Sequence, residues 1–276
     1  MRSSGSERPS RRVVLGHLAM AAVVWVAAGI VAWLALLTWT GQQLDEWALQ
    51  AADEVVDPRV SRWLTLALDQ LPVAAALLGG SGILNLLLRT RRIAAGAIVL
   101  GMAAVSLLSV QALKLLVLSK PDLGIQEATL NSFPSGHASL AAVAGLVWVL
   151  AVPTRARGWT AVVAASVTTA IGVMTVLTGW HRPADVVAAI LIPAGWCALA
   201  TLALRSILGR APSRGSGRSE ITKSSLGLFA LAAAVAIGVA QHSESHPAWA
   251  LIAGLLAVGA TVLLVFAGIA ALARHR

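Results

Sequence analysis

Two short polar segments interrupt the apolar stretches of this sequence, and each of them contains a histidine. The first is P-S-G-H, which ends at His137, and the second is H-R-P-A-D, which runs from His181 to Asp185. A carboxylate four positions after a histidine at a helix start can hydrogen-bond one ring nitrogen. This bond fixes the tautomer and leaves the other nitrogen as a nucleophile or base. His137 can then act as the general acid that protonates a leaving oxygen.

The same segments have the features of an anion site. Ser135 and Gly136 stand where a loop becomes a helix, and the first N–H groups of a helix, together with its dipole, bind phosphate. Gly136 allows close approach to the backbone, and the Ser135 hydroxyl adds a donor. Lys114 and Lys120 supply positive charge nearby. The alternatives are helix capping by the Ser-Gly pair and lysines that extend towards the membrane interface from a span end.

The elements that must position these residues are membrane helices. The chain has 276 residues, of which 58% are hydrophobic and 12% charged. This composition excludes a soluble enzyme, a disordered chain and a fibrous protein, and predicts an all-α, polytopic membrane helix bundle. The single cysteine, Cys197, excludes a disulfide framework and a thiolate zinc cluster. Eight apolar stretches are long enough to be spans: 13–39, 64–88, 93–118, 138–153, 159–180, 184–204, 225–241 and 248–272.

Charge placement predicts the orientation in the membrane. Most of the 21 basic residues lie before the first span, in alternate connections and after the last span, whereas the other connections are acidic. By the positive-inside rule, both termini are expected to be cytoplasmic, and the histidine segments are expected at the extracytoplasmic side of the cell membrane. With this placement, the net charge of +9 does not indicate a nucleic-acid partner.

The chain is expected to divide into four parts. These are a cytoplasmic tail (1–12), a membrane core (13–208), a cytoplasmic linker rich in Ser, Gly and Arg (209–223), and a C-terminal pair of transmembrane helices (224–276). Within the core, residues 41–63 are predicted to form a surface helix or lid on the outer face. Trp47, Leu49 and Val55 of this segment are expected to contact lipid.

The motifs together resemble the type-2 phosphatidic-acid phosphatase superfamily, whose integral-membrane members carry K-x6-R-P, P-S-G-H and S-R-x5-H-x3-D. The resemblance covers about residues 60–205. It implies a six-helix core and metal-independent phosphoryl transfer. In the implied mechanism, His181 forms a phosphohistidine, Asp185 orients it, and His137 is the general acid. The phosphate-binding positions match Lys114, Ser135 and Gly136.

Two positions depart from the family pattern. The first block reads Lys114-x5-Lys120-Pro121, one residue short and with lysine in place of arginine, and Thr175 stands where the third block has its arginine. Losing a bidentate guanidinium weakens charge stabilisation in the transition state. The cations available to supply the missing charge are Lys114, Lys120 and Arg182, and Lys120 is expected to contribute more than Arg182, which lies beside His181.

The predicted function is therefore hydrolysis of lipid-linked phosphates, such as phosphatidic acid or a polyprenyl diphosphate, without a metal or other cofactor. The expected partners are the lipid substrate and membrane lipids, and the sequence predicts no oligomeric state. Two alternatives remain: a lipid phosphotransferase of the same fold, and a non-catalytic membrane relative. The absent arginine favours the second alternative, whereas the intact His137, His181 and Asp185 oppose it.

Overall fold

A computed structural model of the protein describes residues 9–125, 131–208, 237–238 and 240–273. In this part of the chain the main elements are all helices, which confirms the predicted all-α bundle. Their bounds are α1 Arg11–Leu37, α2 Trp39–Val55, α3 Pro58–Asp69, α4 Leu71–Thr90, α5 Ile93–Ala112 with a π-helical turn Leu113–Val117, α6 Gly136–Ala151, α7 Arg157–Leu177, α8 Pro183–Leu208 and α9 Pro247–Ala273.

Six of these helices are long and apolar enough to cross a membrane, namely α1, α4, α5 with its π-helical turn, α7, α8 and α9. The protein is thus a multi-pass membrane protein. The fourth predicted span, 138–153, corresponds to α6, which has only 16 residues. Most side chains of α6 are buried against other helices, so its length need not match the lipid. The predicted linker and most of the span 225–241 lie outside the described residues.

Helix α2 differs from the predicted surface helix. It packs against α1 and α9, and it buries Gln42, Asp45 and Glu46 together with three alanines. The alanines let the helix backbone approach its neighbours closely, which is how small residues act in membrane bundles. Trp47 is half-buried against the core, whereas Val55 is exposed. The lipid contact of Trp47, Leu49 and Val55 stays a prediction.

Helix α8 lies at the centre of the bundle, in contact with α1, α5, α6 and α9, and most of its residues are buried. Glycines permit two of its closest contacts. A Cβ atom on Gly195 would lie 2.2 Å from the Trp25 indole nitrogen, and one on Gly254 of α9 would lie 2.4 Å from Pro183 Cγ. Helix α9 therefore packs directly against the first residue of α8. The division of the chain into core, linker and C-terminal pair stays a prediction.

One end of the bundle is rich in arginines that donate to main-chain carbonyls. Arg89 donates to the oxygen of Ala151 at the end of α6. Arg157 and Arg205 donate to the last turn of α9, where the distance from Arg205 Nη2 to the Leu272 oxygen is 2.9 Å. The last carbonyls of a helix have no partner within the helix, so these arginines satisfy them and complement the helix dipoles.

Candidate active site

The polar residues of the two motifs meet at the opposite end of the bundle. Helix α7 ends at a turn in which Gly179 adopts a left-handed backbone with φ 73°. The His181 N–H then donates to the Thr175 oxygen at 3.0 Å, and Pro183 opens α8. Proline suits the first position of a helix because the N–H that it lacks would have no partner there. The turn thereby holds His181 just before α8.

His181 and Asp185 form the predicted pair. His181 Nδ1 lies 3.2 Å from Asp185 Oδ2, and both side chains are buried. The same carboxylate oxygen accepts bonds from Ser132 Oγ at 2.6 Å and from the Arg182 N–H at 3.1 Å. These bonds hold Asp185 in one orientation. With Nδ1 as the donor to Asp185, the Nε2 of His181 is left with a lone pair.

The P-S-G-H segment is tied to this pair through the backbone. The Ser135 N–H donates to the Asp185 carbonyl at 3.0 Å, so it is not available to an anion. The Ser135 hydroxyl accepts the Ala138 N–H at 3.3 Å and thereby caps α6. The N–H groups of Gly136 and His137 come next in the helix and have no acceptor within it. The first helix N–H groups that could bind an anion are therefore those of Gly136 and His137.

His137 lies near the turn that joins α7 to α8. Its ring packs edge-on against Trp180 with a centroid separation of 5.1 Å, and it lies within electrostatic range of His181 and Lys114. A Cβ atom on Gly136 would meet none of the described atoms within 4 Å, so no described side chain covers the first turn of α6 at this position. The two histidines thus flank an accessible helix N-terminus.

The two candidate lysines lie in different elements of the structure. Lys114 is in the π-helical turn that ends α5, and π-helical turns are frequent at functional sites. Lys120 is half-buried in the following loop, within electrostatic range of Arg182 and Asp185. Burial, with the nearby Arg182 charge, lowers the Lys120 pKa to about 8. Lys120 therefore titrates much nearer neutrality than an ordinary lysine.

Thr175 stands at the position where the resembled family has an arginine, and its side chain has no charge. It is fully buried, and its hydroxyl donates to the Gly172 oxygen at 2.8 Å within α7. Arg182 is buried beside the pair instead. Its Nη1 donates to Ser132 Oγ at 3.3 Å, and its Nη2 lies 3.4 Å from Glu46 Oε2.

Three of these participants were missed by the sequence interpretation: Ser132, Asp45 and Glu46. Asp45 Oδ1 accepts the Ala184 N–H at 3.4 Å, and burial, with the nearby Asp185 charge, raises the Asp45 pKa to about 7. A signal did exist for the two acids, because Gln42, Asp45 and Glu46 have the i, i+3, i+4 spacing of one helix face.

An open cavity of about 790 Å³ adjoins the site. It lies between the second half of α2, the start of α3 and the turn at Thr178 and Gly179. Glu46 lines it from the side nearest Arg182. Three further acids of the lining, Asp53, Glu54 and Asp57, make this cavity acidic. Across the described residues, no three His, Cys, Asp or Glu side chains converge in a way that would hold a metal ion. The predicted independence from metal stays a prediction.

The comparisons with known proteins agree with the fold and the motifs. Residues 95–207 match the family model described as the PAP2 superfamily. This confirms the resemblance for the part of the chain that contains the two histidines, Asp185 and both lysines. A Bacillus subtilis protein is similar in fold, and its crystal structure is described as the first transmembrane PAP2 type phosphatidylglycerolphosphate phosphatase. The likeness covers 68% of this chain and 97% of that one, at a TM-score of 0.54 and 20% identity. No curated protein sequence matches this chain.

Proposed function

We propose that the protein is an integral-membrane phosphatase that hydrolyses lipid-linked phosphate monoesters or diphosphates through a phosphohistidine on His181. The observation that carries the proposal is the buried His181–Asp185 pair, joined through the Ser135 N–H to the N-terminus of the helix that begins with Gly136 and His137. A nucleophile, its orienting carboxylate, a second histidine and a helix N-terminus are the parts that metal-free phosphoryl transfer requires.

The reaction proceeds in two displacements. The Nε2 lone pair of His181 attacks phosphorus, the bond from phosphorus to the lipid oxygen breaks, and His137 gives that oxygen its proton. Asp185 stabilises the positive charge that develops on the imidazole through Nδ1–H. Water then attacks the phosphohistidine, the neutral His137 takes a proton from that water, and phosphate leaves as His181 is regenerated.

The phosphoryl oxygens are held by charge and by backbone donors. The N–H groups of Gly136 and His137 bind one oxygen at the start of α6, where the helix dipole favours an anion. Lys114, Lys120 and Arg182 supply positive charge, with Lys120 and Arg182 within electrostatic range of one another. Ser135 contributes its hydroxyl while it caps the helix.

The substrate phosphate approaches from the extracytoplasmic side. The arginine-rich end of the bundle, with Arg89, Arg157 and Arg205, is opposite the site, and arginines of membrane proteins concentrate at the cytoplasmic side. The test is labelling of Asp122→Cys and Arg155→Cys, each made in a Cys197→Ser background. We expect an impermeant thiol reagent to label the first in intact cells and the second only after permeabilisation. The reverse pattern would contradict this orientation.

The activity itself is tested by phosphate release from a panel containing phosphatidic acid, phosphatidylglycerolphosphate and a polyprenyl diphosphate, with purified protein and EDTA present. We expect release from at least one lipid and inhibition by orthovanadate. With a 32P-labelled substrate and an alkaline quench, we expect label on histidine that acid treatment removes. Absence of release from every lipid, or a complete loss in EDTA that magnesium restores, would overturn the proposal.

A further inference from the structure

Arg182 has a buried environment that needs an explanation. The residue is 7% exposed, which is a costly position for a charge unless the charge is paired and hydrogen-bonded. Glu46 supplies the opposite charge from α2, a helix outside the residues that match the family, and is itself 8% exposed. The pair spans two distant parts of the chain, since Glu46 precedes Arg182 by 136 positions.

The contacts of this guanidinium lead to the nucleophile. Arg182 Nη1 donates to Ser132 Oγ at 3.3 Å, Ser132 Oγ donates to Asp185 Oδ2 at 2.6 Å, and Asp185 orients His181. Glu46 is therefore the outer end of an unbroken series of polar contacts that reaches the imidazole. A shift of Glu46 moves the guanidinium first, and the hydroxyl and carboxylate after it.

One nitrogen of the guanidinium has no partner. Arg182 Nε is buried and has no hydrogen-bond partner among the described residues, although almost all buried donors of folded proteins have one. An arginine uses its Nε–H and one Nη–H together to bind two oxygens of a phosphate. With Glu46 and Ser132 on the two Nη atoms, Nε is the donor that a phosphoryl oxygen can take.

We propose that Glu46 is a positioning residue, which fixes the Arg182 guanidinium so that its free donors replace the arginine absent at Thr175. The inference deepens the proposed function and rests on it. The adjacent Asp45 contacts the Ala184 N–H, so α2 holds the turn on both sides of Pro183. Helix α2 is thereby part of the active site, and its acids act on the phosphate through Arg182.

The test is a double-mutant cycle of Glu46→Gln and Arg182→Ala, assayed by phosphate release from the lipid that the wild-type protein hydrolyses fastest. We expect Glu46→Gln to lower kcat/KM by about ten- to a hundredfold, as a displaced catalytic contact does. In the Arg182→Ala background the same change is expected to have less than about a twofold effect, because its target is gone. Glu46→Asp keeps the charge and is expected to recover part of the loss.

A control is Glu244→Gln, the same change at an exposed glutamate in the turn before α9, which we expect to leave kcat/KM unchanged. Equal losses from Glu46→Gln in both backgrounds, or an effect no larger than that of Glu244→Gln, would overturn the inference. A second measurement does not depend on turnover: orthovanadate should raise the Tm of the wild type more than that of Glu46→Gln. If the wild type hydrolyses no lipid but this difference in Tm is found, the proposed function fails while the role of Glu46 stands.

Discussion

The two ends of the bundle use arginine in opposite ways. At one end, Arg89, Arg157 and Arg205 donate to carbonyl oxygens that close helices α6 and α9. At the other end, the contacts of the Arg182 guanidinium among the described residues are with two side chains, those of Ser132 and Glu46. Carbonyls at a helix end are fixed acceptors, whereas a hydroxyl and a carboxylate can move with a bound phosphate. The first set is expected to stabilise the fold, and the second to serve the reaction.

The largest expected effect is at the nucleophile. His181→Ala should lower kcat by more than about a thousandfold, because no other group can form the phosphohistidine. Its Tm should remain close to that of the wild type, because the arginine contacts to the last carbonyls of α6 and α9 lie at the other end of the bundle. Appreciable turnover in the variant would contradict the role of His181 as nucleophile. A loss of folding, measured by size-exclusion chromatography and Tm, would contradict the distinction between the two ends of the bundle.

Lys120 is expected to have the next largest effect and a distinct pH dependence. Lys120→Ala should lower kcat/KM by about tenfold or more, since it removes a charge near the phosphoryl group. With its pKa at about 8, Lys120 is charged below that pH and loses its charge above it, so activity should fall on the alkaline side. Lys120→Arg remains charged throughout. We expect its ratio of kcat/KM one unit above that pKa to one unit below to exceed the wild-type ratio.

A third prediction concerns the packing of α9 against Pro183, at the turn that holds His181. Gly254→Ala places a methyl group 2.4 Å from Pro183 Cγ, so α9 or the start of α8 must shift. A displacement next to His181 should lower kcat/KM by about tenfold. Gly259→Ala is the matched control on the same helix, because its nearest neighbour, Thr169 Cγ2, lies at 4.0 Å. Equal activity of the two variants would show that α9 does not position the turn.

The smallest effect on catalysis is expected at the arginine-rich end. Arg157→Ala removes a donor from the Ala273 carbonyl and should lower Tm by about 2–4 °C, while kcat/KM changes by less than about twofold. The exposed neighbour Arg155 provides the control, and Arg155→Ala should alter neither quantity. A loss of activity in Arg157→Ala without a fall in Tm would remove the distinction between the two ends.

The local parts of the site could be predicted from the sequence, and the long-range parts could not. His181 and Asp185 are four residues apart on one turn, so their spacing alone predicts the contact. The bond from the Ser135 N–H to the Asp185 carbonyl joins the P-S-G-H and H-R-P-A-D segments, both of which the sequence identifies as candidate parts of one site. Glu46 belongs to no motif. Its contact with Arg182 could not be predicted, because it depends on how α2 packs on α9 and α1. From the sequence alone, an acidic residue beside a tryptophan that is expected to contact lipid is predicted to lie at the surface.

For the fold, too, the local elements could be predicted from the sequence and the packing between distant elements could not. Apolar runs predicted the helices because, in a bilayer, a chain must satisfy its backbone polar groups internally. They could not predict the burial of α2, whose polar face is paired with groups from other helices. Nor could they show that Gly254 touches Pro183, since a glycine in an apolar run marks close packing without naming its neighbour.

The shortness of α6 is confined to the arginine-rich end of the bundle. Its first turn is level with the first turn of α8, because the Ser135 N–H donates to the Asp185 carbonyl and Ser139 Oγ donates to the Ala189 carbonyl. Its 16 residues extend over about 24 Å, less than the hydrocarbon core of about 30 Å. Helix α6 therefore ends at Ala151, before it has crossed that thickness, and Arg89 of α4 donates to its last carbonyl. An arginine of a neighbouring helix thus satisfies a backbone acceptor at a depth where lipid could not satisfy it.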